Sequence, residues 1–112
     1  MTILDVESRP GDGFVQVVLR GELDLSTVEK VESELGAVDA RDEKLVVLDL
    51  SGLSFLDSTG LRLMVTANER AQKGGRRLVI VKGPEPVQRV FSITKLDETL
   101  DMVDDLSEVA GS

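Results

Sequence analysis

The chain has 112 residues, a common size for one domain, and carries 21 acidic against 13 basic side chains for a net charge of −8. That balance excludes a general nucleic-acid binder, which needs clustered Lys and Arg against phosphate, and favours partners with basic surface. The lack of cysteine excludes disulfides, thiolate catalysis and zinc–thiolate sites, and the longest apolar runs, LVVL and LVIV, are far too short to span a membrane.

Residues 3–7, ILDVE, alternate loosely and read as a short strand. The turn residues SRPGDG separate it from FVQVVLRGEL at 14–23, a mostly buried strand, and so short a connection predicts antiparallel pairing. In DLSTVEKVESELGAV, Val28, Val31, Leu35 and Val38 recur at helical spacing, and Ser26 with Glu29 predicts an S-x-x-E capping box at the helix start. KLVVLDL at 44–50 is a continuous apolar strand, expected to be central and to end near Leu50. From Leu61 the residues Met64, Val65 and Asn68 or Ala71 give a second helix, closed by Gly74-Gly75. The basic cluster KGGRR at 73–77 therefore reads as a helix-to-strand turn before a phosphate site is considered. RLVIV at 77–81 is another buried strand. GPEPVQRVFSI starts a third helix with Pro86 in its first turn, ETLDMV is a short edge strand, and DDLSEVAGS is a weak amphipathic tail.

Strands alternating with helices predict βαβ crossovers and a partly parallel sheet. The expected fold is α/β: one domain over residues 1–112, a small mixed sheet of about four to five strands, and three to four helices packed mainly on one face. With no basic-then-apolar leader at the amino terminus, a soluble, cytoplasmic, monomeric protein is expected.

Enzymatic chemistry finds little to work with. A serine nucleophile needs a base, usually His, and the chain has none; no S-x-x-K pattern supplies a lysine instead. VDDLSE and LDETLD lack the ligand spacing of a calcium loop, and KGGRR lacks that of a P-loop. No catalysis, metal or cofactor is expected.

What remains is DLSGLSFLDSTGL. The segment from Ser51 to Ser58 is placed at the carboxyl end of the strand from Leu45, an edge where α/β sheets meet ligands and partners. Ser58 at the next helix start reads as an N-cap, a role worth about 1 kcal/mol, and Asp57 is the alternative cap. Two details favour an accessible hydroxyl. Leu61 stands where a capping box needs Glu or Gln, and Ser58 is flanked by the small residues Thr59 and Gly60. Gly60 costs helix stability relative to Ala, which the close approach of another protein surface explains.

GELDLST, then LVVLDLSGLSFLDSTGL and, less tightly, VQRVFSITKLDETL resemble the STAS-domain anti-sigma factor antagonists of bacteria, the SpoIIAA-like group. The resemblance covers nearly the whole chain and implies a STAS-type domain without enzymatic activity. It also implies that Ser58 is phosphorylated by a kinase that is itself the anti-sigma factor. The unphosphorylated form binds that kinase and frees the sigma factor, and a metal-dependent serine phosphatase restores it. Asp24 is implied near the serine, assisting phosphorylation and partner binding, with Ser26, Asp57, Thr59 and Gly60 on the same contact surface; helix-entry chemistry explains Asp24 equally well. Lys95 departs from the pattern, since the family often has Gly there to supply a left-handed turn.

Phosphate adds about −1.5 to −2 charges at pH 7, and a helix N-terminus accommodates an anion. The switch would then act at a docked interface, without refolding. Two other readings stand beside it. One is a STAS scaffold, never phosphorylated, in a signalling or lipid-transport assembly. The other is a small hydrolase with Ser58 as nucleophile.

Overall fold

The computed structural model describes residues 3–41 and 43–110. Its strands are β1 (Leu4–Pro10), β2 (Phe14–Leu23), β3 (Leu45–Leu56), β4 (Arg77–Val81) and β5 (Met102–Val103). They form one sheet in chain order, β1-β2-β3-β4-β5. β1 and β2 pair antiparallel, as the short connection between them predicts, and the three remaining pairs are parallel. Helices α1 (Val28–Asp39), α2 (Ser58–Lys73) and α3 (Glu85–Ile93) supply the crossovers. A 3-10 turn (Leu96–Glu98) leads into β5, and a short α4 (Ser107–Ala110) follows it.

Alternation along the strands sorts the side chains between two faces. Val15, Val17 and Leu19 of β2 and Val46, Leu48 and Leu50 of β3 join the helices in one aliphatic core. Val31, Leu35 and Val38 enter it from α1, Leu61 and Met64 from α2, and Val87 and Phe91 from α3. Each such side chain, fully buried, contributes about 1.5–3 kcal/mol. The opposite face is divided. Val47, Val79 and Val81 are covered by Val109 of α4, whereas the β1–β2 side is polar, with Gln16 donating to Asp49 at 2.9 Å. There Arg9 and Arg20 both bind Glu7 and hold its carboxyl below the usual carboxylate range. Three helices thus occupy one face, and the tail closes part of the other.

Two local expectations are corrected. The capping box of Ser26 and Glu29 does not form. α1 starts at Val28 after Thr27, because the buried Thr27 hydroxyl donates to the Glu22 carbonyl and accepts from Asp24 N–H, shifting the helix entry by one residue. β3 does not end near Leu50 but runs to Leu56. Beyond Asp49 it leaves β4 and pairs only with β2, across two register shifts that break the alternation a reader of the sequence looks for. Lys95 adopts the left-handed turn itself, with φ 62° and ψ 17°. It is the one non-glycine residue with positive φ among those described.

KGGRR forms the helix-to-strand turn. Its arginines are engaged within the chain: Arg76 with Asp39 at 2.9 Å and Arg77 with Asp101 at 2.8 Å.

Candidate functional site

β2 and β3 are parallel and end side by side, Leu23 opposite Leu56. The next residue of each chain segment is an aspartate, and Asp57 N–H donates to the Leu23 carbonyl at 3.2 Å, joining the two turns. Register alone therefore brings Asp24 and Asp57 together across 33 residues of sequence.

Each aspartate folds back on its own turn. Asp24 Oδ1 accepts from Ser26 N–H at 2.9 Å and from Ser26 Oγ at 2.7 Å. Asp57 Oδ1 accepts from Thr59 N–H at 3.0 Å and Gly60 N–H at 3.1 Å, which makes Asp57 the N-cap of α2. Ser58 is then the first helical residue, and its side chain is exposed. Of the two capping alternatives the fold takes the carboxylate, whose charge suits the positive helix end and whose oxygen satisfies two N–H groups.

Ser26 and Ser58 are exposed, while Asp24, Asp57 and Thr59 are half-buried at the same edge. Gly60 is buried. A Cβ on it would come within 2.6 Å of Leu56 Cδ1 and 2.7 Å of Leu23 Cγ, so its smallness is required by the ends of β2 and β3. The reason expected from the sequence, room for an approaching protein, is replaced by packing inside the domain.

Two apolar side chains beside these turns escape sequence reasoning. Leu25 is 75 % exposed and Phe55 46 %. A regular strand to Leu56 places Phe55 outward, but that strand was not legible from Ser51, Gly52 and Ser54. Arg62 stands one helical turn beyond Ser58, at i, i+4 spacing on α2.

Between α1 and α2 lies an open groove of about 290 Å³, with Val28, Glu32, Thr59, Arg62 and Leu63 in its walls. Among the described residues no group of three or more His, Cys, Asp or Glu side chains is placed to hold a metal ion. None of their helices is long and apolar enough to cross a membrane.

Fold and site define a small α/β domain with a solvent-facing hydroxyl at the carboxyl edge of two parallel strands. The chain belongs to the STAS domain family, whose model matches residues 4–109. An anti-sigma-B factor antagonist of Staphylococcus epidermidis is 32 % identical over 97 residues, covering 87 % of this chain and 90 % of that protein. The crystal structure of an anti-sigma factor antagonist from Mycobacterium paratuberculosis superposes with a TM-score of 0.88 at 28 % identity, covering 97 % and 92 % of the two chains. SpoIIAA in its unphosphorylated form gives 0.77 at 20 % identity over 94 % and 93 %, a likeness of fold.

Proposed function

We propose that this chain is a cytoplasmic, non-enzymatic anti-sigma factor antagonist, monomeric on its own, whose partner binding is switched by phosphorylation of Ser58. Unmodified, it binds an anti-sigma factor that has serine kinase activity, and the sigma factor is released. Phosphorylated, it lets go, and a metal-dependent serine phosphatase returns it to the binding form. The observation that carries this reading is the division of labour at the start of α2: Asp57 caps the helix and Ser58 faces solvent. The relatives named as anti-sigma factor antagonists support it.

The contact surface comprises Asp24, Ser26, Asp57, Ser58 and Thr59, with Gly60 beneath them fixing how α2 sits. Asp24 assists the transfer to Ser58 and the docking of the kinase. A phosphate here adds about −1.5 to −2 charges next to two aspartates, on a chain already at −8. At a docked interface that charge must be desolvated or left mismatched, which costs several kcal/mol; a loss of ~4 kcal/mol is about a thousandfold in affinity.

Intact-mass measurement after mixing with the kinase and ATP should find one phosphate, mapped to Ser58. Ser58→Ala should go on binding the kinase in the presence of ATP, whereas Ser58→Asp should bind poorly. Equal affinities for the two variants, or a phosphate mapped elsewhere, would sink the switch.

A further inference from the structure

The start of a helix ordinarily receives an anion through its unpaired N–H groups. In α2 most of that offer is already taken up, because the Thr59 and Gly60 N–H groups point at Asp57 Oδ1, 3.0 and 3.1 Å away. The Leu61 N–H continues the helix to the Asp57 carbonyl at 3.1 Å. Among the first-turn donors of the described residues only the Ser58 N–H is left, so a phosphate on Ser58 gains little there without displacing the Asp57 carboxylate.

Arg62 is the cation within reach. α2 is continuous from Ser58 to Lys73, so residues 58 and 62 are i, i+4 neighbours on one face. Helical side chains lean toward the N-terminus, which carries a guanidinium at 62 back over 58. The order also suits the pair, since an acid four residues before a base is the more stabilising arrangement. Arg62 is exposed and has no ion pair among the described residues. In contrast, Arg70, Arg76, Arg77 and Arg89 are all held by carboxylates. Its place on the wall of the open α1–α2 groove, beside Thr59, leaves it room to turn.

We propose that Arg62 receives the phosphate of phosphorylated Ser58, forming a guanidinium–phosphate pair within α2. The inference rests on the phosphorylation reading above. Its planar fork matches two phosphate oxygens, a fit that a lysine ammonium does not reproduce. One positive charge offsets only part of a phosphate's −1.5 to −2 or so. The modified face therefore stays more negative than the unmodified one, and the pair is compatible with release of the partner. Its own effect is to hold the phosphate against α2 rather than over the Asp24 turn.

The test needs no kinase. Phosphoserine is installed at position 58 of the full chain during translation, and its 31P shift is followed against pH. Pairing favours the dianion, so the second phosphate pKa should be lower in the wild-type chain than in Arg62→Gln by roughly 0.15–0.35 of a pH unit. That gap should shrink in high salt. Asp24 and Asp57 beside the phosphate and Glu32 across the groove all raise the pKa in both chains, so the difference isolates Arg62. Arg62→Lys should recover part of the shift, and the unphosphorylated Arg62→Gln chain should unfold at the wild-type temperature. Identical titrations of the wild-type and Arg62→Gln chains overturn the pairing. Failure of a partner kinase to modify Ser58 overturns the proposed switch instead, so the two failures are separable.

Discussion

Gly60 and Lys95 reverse what their residue types ordinarily mean. Helix propensity alone favours replacing Gly60 by Ala by about 0.8–1 kcal/mol. The added Cβ, however, would lie 2.6 Å from Leu56 and 2.7 Å from Leu23, both buried at the ends of paired strands. Overpacking of this kind costs about 1–3 kcal/mol, so Gly60→Ala should destabilise the domain in urea denaturation. Increased stability would mean that the leucines yield and propensity prevails. Lys95 holds a backbone conformation that costs an L-residue about 1–2 kcal/mol, part of which Gly recovers against its larger entropy loss on folding. Lys95→Gly should therefore raise stability by about 0.5–1 kcal/mol, whereas Lys95→Ala, which keeps a Cβ at positive φ, should show no such gain. A loss with Gly would locate the turn's stability in the lysine side chain.

Among the elements, the parallel pair β2–β3 builds the proposed site and α4 covers part of the opposite face of the sheet. Because Leu23 and Leu56 are in register, the Asp24 and Asp57 turns emerge together, and α2 starts where they meet. α4 has only four residues and little helical stability of its own. Its hold on the sheet rests on Val109, 4 % exposed against Val47, Val79 and Val81. Val109→Ala should cost about 2 kcal/mol, seen as a lower denaturation midpoint with an unchanged slope. No change in midpoint would show α4 to be undocked in solution. The strands and helices themselves were legible because periodicity survives in Val28, Val31, Leu35 and Val38 and in RLVIV. The second half of β3 was not, since Ser51, Gly52 and Ser54 have turn chemistry and remain extended only because β2 lies beside them. The Ser26–Glu29 box failed for a related reason: its local pattern was satisfied, but Thr27 had a better partner in β2.

For the whole molecule, the aliphatic core and the acidic surface have separate duties. Three helices and the sheet hold the domain, and the carboxyl edge carries the proposed switch in its side chains. Ser58 is exposed and outside that core, so under the proposed switch a charge added there would alter docking while leaving the packing alone. Composition, the order of strands and helices and the antiparallel start were all determined by the sequence itself. Each depends on neighbours within a few residues or on a sum over the chain. Why position 60 has to be glycine, where β3 ends and that Asp24 adjoins Asp57 were decided only in the tertiary structure. Those outcomes depend on contacts between residues some 30 positions apart, formed when β2 and β3 align and their ends compete for the same space and the same hydrogen bonds.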